Sequence, residues 1–279
     1  VNGKSQTPIA YSSTPLHFDD SGRVKVMDAD ASQVYSYTDI YRRTVVMVKV
    51  SDEVSYGVDF FRVRGGNDHV YSFHSQSGEI DKTEGLDGLT AQNGGTYAGP
   101  DVPFGQDPKT NPNSYSKDYL LYPPGSTWLE NVRRDTAPAP KFSIDFKVTD
   151  FRKLLPAHLT RDLHLRMTML NDNPLSEVAI ATGYPPKANR KWIDHLEYVL
   201  VRNTGSGNLD TLFTTVFEPY RGERYLADMS AVDMNVESGV PGDKDTARAV
   251  KVTHKNGRVD YIVYASNNTV EYLVDNKFG

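Results

Sequence analysis

The sequence predicts an all-β protein: a many-stranded antiparallel β-sandwich of jelly-roll or supersandwich type. Three observations carry this. Lys141–Thr149 (KFSIDFKVT) and Asp162–Leu170 (DLHLRMTML) alternate strictly between polar and apolar residues, the period of a strand with one buried face. Asn256-Gly257 separates two further alternating runs, AVKVTHK and RVDYIVY, which predicts a hairpin closed by a type I′ turn. The chain also holds 17 Tyr and 11 Phe but no Cys, punctuated by 21 Gly and 16 Pro, a composition that favours sheet over helix.

Taken in order, strands are predicted at Gln33–Tyr37, Thr44–Ser51, Val54–Val63 and His69–Ser75, then at the two alternating runs above. They continue at Glu197–Arg202, Thr211–Glu218, the C-terminal hairpin and Thr269–Val274. TVVMVKV (Thr44–Val50) is apolar at almost every position, which predicts a strand covered on both faces. Helical periodicity is scarce, with a turn or two conceivable at Asp150–Leu155 and Asn189–Leu196. The clearest interruption is Gly78–Ser116, where seven Gly and four Pro fall in 39 residues and predict a long loop of the kind that is often functional or mobile. A shorter one is Glu237–Thr246. Strand-like sequence resumes after each, so the expectation is one sandwich domain over residues 1–279 with a Gly/Pro-rich loop at 78–116.

Composition removes whole classes of function. A net charge of −5 argues against a nucleic-acid partner, which would call for a basic chain. No apolar run of about 18 residues exists, so no helical membrane span is expected. The absence of Cys removes thiol nucleophiles and Cys-type zinc sites. There is no GxSxG elbow, no GxGxxG and no phosphate-binding loop. The opening VNGKSQ has neither a signal peptide's pattern nor an initiator Met, so the numbering is expected to begin inside a longer product.

Reactive side chains are densest in Val58–Ser75 (VDFFRVRGGNDHVYSFHS), which holds Asp59, Arg62, Arg64, Asp68, His69, Tyr71 and His74 around Gly65-Gly66. The plain reading is two strands joined by a Gly-Gly turn, with polar residues at the edge. His69 and Tyr71, two apart on one face, could serve as acid and base if that face borders a cleft. His74 lies at an odd offset from His69 and points the other way, which argues against a two-His metal clamp. No metal site is expected in this chain. Elsewhere, Trp128 and Trp192 stand near arginines (Arg133 and Arg134, Arg190) and could stack on a sugar ring, although a core role fits each as well. The remaining histidines read as ordinary surface or satisfied core residues.

Several stretches together resemble the heparinase II/III-like polysaccharide lyases. VNGKSQ (Val1–Gln6) is similar to the segment following that family's His-Asn-Thr block, with Asn2 where Asp is usual. YRRTVVMV (Tyr41–Val48) and then Val58–Ser75 resemble its arginine-containing strand and the D-x-F-x-V-x-G-G-x-x-H-x-x-x-x-H pattern that follows. LDTLFTTVFEPY (Leu209–Tyr220) resembles a block found late in large members.

The resemblance implies a specific role. The chain would be the C-terminal β-sandwich of a periplasmic or extracellular enzyme that cleaves anionic, uronic-acid-containing polysaccharides by β-elimination. The family's catalytic residues, and the ligands of any divalent metal, belong to an N-terminal helical toroid and to sequence upstream of Val1. The chain alone is then expected to bind no cofactor and to be inactive. Arg62, His69, His74 and Tyr71 are the right types to border the cleft, and Trp128 and Trp192 remain candidates for substrate contact. The alternative is a non-catalytic carbohydrate-binding sandwich, whose sign would be an exposed aromatic strip far from His69.

Overall fold

A computed structural model describes residues 1–3, 13–76, 78–106, 125–171, 175–185, 193–275 and 277–278. Its centre is an eight-stranded antiparallel sheet. In spatial order it comprises β1 (Thr14–Asp19), β2 (Val24–Asp30), β3 (Ile40–Lys49), β4 (Ser55–Arg64), β13 (Asp210–Arg221), β10 (Leu163–Leu170), β9 (Lys141–Val148) and β6 (Gly78–Glu84). A second sheet runs β5 (Asp68–His74), β12 (Leu196–Thr204), β11 (Glu177–Gly183), β8 (Leu129–Asp135) and β7 (Thr90–Ala91). On the other side of the central sheet lie β14 (Leu226–Val232), β16 (Ala247–His254) and β17 (Val259–Ala265). A small sheet of β15 (Met234–Ser238), β18 (Glu271–Val274) and β19 (Lys277–Phe278) completes the set.

Alternation explains the layers. In β9, Phe142, Ile144 and Phe146 point to the second sheet, where they meet Met167, Met169, Ile180, Val199, Val201 and Phe213 in one core. A second core lies on the opposite face, where Tyr56, Val58 and Phe60 of β4 pack against Leu226, Val250, Val252 and Tyr264. β4 is thus covered on both faces, which is why it is the most continuously buried strand of the central sheet.

Several expectations need correction. β3 is buried on one face only: Val46 and Val48 are covered, but Met47 is exposed and Arg43 half-exposed. The second sheet stops at β5 and, among the described residues, leaves its side of β1–β3 uncovered, so an apolar run does not imply two covers. Gln33–Tyr37 is no strand. The Asp30 carboxylate accepts from Ser32 N–H (3.1 Å) and Oγ (2.7 Å), which turns the chain into a short 3₁₀ segment, Ser32–Val34. The C-terminal hairpin forms as expected, but its loop has three residues. Gly257 N–H bonds His254 O and His254 N–H bonds Arg258 O, with positive φ at Gly257 and not at Asn256. That is a type I turn followed by a glycine bulge, not type I′.

The segment 78–116 opens as strand β6 rather than as loop. Of its described remainder, Leu86 enters the core between the two large sheets and Thr90–Ala91 forms the edge strand β7. The stretch that follows lies on the outer face of the second sheet, where Tyr97 packs on Leu129, Val132, Ala179 and Leu200. Arg134 holds it there, donating to Gln92 Oε1 (2.9 Å) and Tyr97 O (2.7 Å) beneath the Tyr97 ring. Residues 107–116 lie outside the described residues. Among the described residues the only α-helix is Ala157–Thr160, and no helix is long and apolar enough to cross a membrane.

Candidate functional site

Gly65-Gly66 does not close a hairpin. β4 and β5 belong to different sheets, and the two glycines (φ +109° and +77°) carry the chain from one to the other. The return crossing from β12 to β13 runs alongside. Gly65 N–H donates to Leu209 O (2.9 Å), Leu209 N–H to Gly66 O (2.9 Å) and Gly205 N–H to Asn67 O (3.0 Å). Asn2 seals the corner, its Oδ1 accepting from the N–H groups of Asn67 (3.0 Å) and Asp68 (3.1 Å).

His69 is fully buried inside this corner. Its Nε2 lies 2.7 Å from Gly65 O, which can only accept, so Nε2 carries the proton. Nδ1 is therefore an acceptor. Thr211 Oγ1, 2.9 Å away, donates to it and in turn accepts from Asn203 Nδ2 (3.1 Å). One neutral tautomer is fixed and both ring nitrogens are occupied. The geometry is that of a clamp holding the two crossings together, and it leaves no nitrogen facing a cleft.

Burial lowers the His69 pKa, outweighing the raising effect of the bond to the Gly65 carbonyl. The unfolded chain then takes up a proton near pH 6.5 that the folded chain excludes. This part of the stability is complete above that pH and is lost as pH falls through and below it. Urea unfolding of the wild type and of His69→Gln from about pH 5 to about pH 8 should show the difference between them rising up to about pH 6.5 and flat above. A difference independent of pH would rule this out.

Tyr71, on the same face of β5, is also buried and donates to Asp59 Oδ2 at 3.0 Å. Asp59 is held in a fork by Arg43, with Nε to Oδ1 at 2.9 Å and Nη2 to Oδ2 at 2.6 Å. Burial, reinforced by the Asp59 charge, pushes the Tyr71 phenol far above its ordinary range, which makes it a poor proton donor. Arg62 is spent in a similar fork on Asp210 (3.0 and 2.7 Å) and is 2% exposed. Beside that pair lies a polar cavity of about 130 Å³ lined by Asn171, Asn203, Asp210, Thr211, Thr246 and Arg248. Its carboxylate is already paired with Arg62, and its Thr211 hydroxyl with His69 and Asn203. The cavity can hold water or a small polar group but presents no base or nucleophile. Among the described residues no three His, Asp or Glu side chains are arranged to hold a metal.

The sequence candidates therefore do not converge. His69 and Tyr71 share the space between the two large sheets, and Arg62 faces the opposite layer. His74 is exposed on the outer face of the second sheet, its ring centroid 4.6 Å from that of Tyr198. Trp128 sits at the far end of that sheet, while Trp192 lies outside the described residues. Sequence reasoning missed Asp210, Thr211 and Asn203, whose importance comes from partners 142 and 148 positions away or from the second crossing. It also missed the forked Arg43–Asp59 pair. Strand parity alone could not have found it, because it joins different strands.

No protein-family model matches this chain, and no curated protein does either. Solved structures do. Heparinase III (BT4657 gene product) aligns with 90% of this chain at 11% identity and a TM-score of 0.50. The heparan sulfate lyase HepC from Pedobacter heparinus aligns over 90% at 10% identity and a TM-score of 0.48. The chain spans 27% and 28% of those two chains. The first likeness shows a shared fold: this β-sandwich has the architecture of about a quarter of a heparinase III structure.

Proposed function

We propose that this chain is the β-sandwich portion of a heparinase II/III-like polysaccharide lyase, and that it acts as the scaffold half of a substrate cleft. The observation that carries this reading is the fold shared with heparinase III over nine-tenths of the chain. It coincides with the sequence resemblance at Val1–Gln6, Tyr41–Val48, Val58–Ser75 and Leu209–Tyr220. The burial of His69 and Tyr71 supports a structural use of that pattern: the motif residues make the inter-sheet corner and the Asp59 network.

In this reading the whole enzyme, acting outside the cytoplasm, cleaves an anionic, uronate-containing polysaccharide. A base removes the proton from the carbon next to the uronate carboxylate. The electron pair forms a carbon–carbon double bond as the glycosidic C–O bond breaks, and an acid protonates the departing oxygen. The carboxylate must be neutralised first, since its charge opposes the build-up of negative charge on its neighbour. The base, the acid and any divalent metal belong to the helical portion of the same polypeptide. The bare face of β1–β3, which carries Phe18, Met27 and Met47 with the half-exposed Arg43, is the surface assigned to contact with that portion.

The test is the ultraviolet absorbance of the unsaturated uronate product. This chain and the full polypeptide containing it are each incubated with heparan sulfate, alginate and hyaluronan. Product from the full polypeptide alone is expected. Product from this chain alone would overturn the scaffold assignment, and none from either would overturn the lyase reading.

A further inference from the structure

Among the described residues large aromatic side chains are mostly covered; the exposed ones are Phe18, alone on β1, and one local group. Phe104, Trp128 and Tyr184 are 40%, 37% and 38% exposed and lie against one another. The Phe104 ring centroid is 5.2 Å from that of Trp128 at 84°, and 5.9 Å from that of Tyr184 at 72°. They meet where β8 begins and β11 ends. Paired residues along β12 place this end about seven residues, or roughly 23 Å at 3.3 Å per residue, from His69.

The group is built rather than incidental. Gly105 (φ +71°) lies so close to the Trp128 ring that a Cβ there would be 2.9 Å from it, and Gly105 N–H bonds Thr127 O at 2.7 Å. Thr127 is fully buried. Tyr184 donates to the Glu130 carboxylate, which fixes a polar group at the edge of the rings.

We infer that Phe104, Trp128 and Tyr184 form a stacking shelf for a neutral pyranose unit of a glycan. Aromatic faces suit the C–H face of a sugar, and a neighbouring carboxylate can accept from its hydroxyls. Composition separates this from a protein-docking patch. The exposed large aliphatic residues of the described chain lie elsewhere: at Leu154, Leu155 and Leu159 on the β9–β10 connection, on β1–β3, and at Val236, Val240, Val259 and Val263 on or beside the C-terminal strands. The shelf is aromatic with Glu130 beside it. Glu130 also argues for a neutral sugar over a uronate, since like charges would face each other. The inference goes beyond the lyase reading and does not require it.

Trp128 fluorescence supplies the test. In a Trp192→Phe background, Trp128 is the sole tryptophan. Titration with cellohexaose or chitohexaose should shift or quench its emission saturably, with a dissociation constant in the millimolar range or tighter. Tyr184→Ala, read through the same tryptophan, should weaken binding about tenfold, the loss of one stacking contact. Calorimetry on Trp128→Ala should show a comparable or larger loss, with the far-ultraviolet circular dichroism unchanged. Three results would overturn the inference: no saturable response, binding unaffected by Tyr184→Ala, or Trp128 emission inaccessible to acrylamide. The lyase assay on the full polypeptide is a separate readout, so either idea can fail without the other.

Discussion

Gly65→Ala is expected to cost at least about 3 kcal/mol, lowering Tm by roughly 6–12 °C for a chain of this size. Two costs combine. A φ of +109° is strained for any residue with a side chain, and an added Cβ would stand 2.3 Å from Tyr37 O and 2.8 Å from Thr38 Cα. Both contacts are backbone atoms of the turn after the 3₁₀ segment, so no rotamer change relieves them. Gly257→Ala is the control. Its φ is also positive, at +88°, but nothing lies within 4 Å, so only the conformational cost of about 1 kcal/mol applies. Differential scanning calorimetry on the two variants gives the comparison. Equal losses would mean that the corner does not depend on close approach of the Tyr37 turn.

That corner also marks where the sequence stops being informative. Alternation is local, so which side chains of β9 and β10 share a face is legible, and parity correctly separates His69 and Tyr71 from His74. The half-burial expected of β9 and β10 is not borne out, because their polar face is covered too. Ser143, Asp145, His164, Arg166 and Thr168 are buried and bonded among themselves and to Glu84. The Gly-Gly pair announces a change of direction, but nothing within Val58–Ser75 says whether the next strand returns to the same sheet. The answer depends on β13 and β12, about 140 residues later, which pair with β4 and β5 respectively. The same distance hides Thr211 behind His69 and Asp210 behind Arg62. Trp128 was visible as a candidate for sugar contact, but its companion Phe104 was concealed in a Gly/Pro-rich stretch without periodicity. The heparinase-like resemblance drew attention to the right segment. Physical chemistry then assigned that segment to architecture: a histidine with both nitrogens bonded and a tyrosine against a carboxylate hold sheets together.

Asp59→Ala should destabilise the protein by about 3 kcal/mol, the range for breaking a buried pair by removing one member. The loss has two unequal parts. Tyr71 OH loses the carboxylate that receives its proton, deep in the core where water cannot readily replace it, and this dominates. Arg43 also loses its partner, but its side chain is 49% exposed and water can take over most of its hydrogen bonds. Tyr71→Phe in the Asp59→Ala background should therefore restore part of the lost stability, because it removes a buried hydroxyl that has lost its carboxylate acceptor and keeps only the Thr215 hydroxyl beside it. Arg43→Met in the same background should restore little. Chemical denaturation of the four proteins at neutral pH decides the matter. If Arg43→Met rescues more than Tyr71→Phe, the guanidinium is the group left in an apolar setting. The bare face of β1–β3 would then be covered in solution, and Arg43 would no longer be the point where this network meets water.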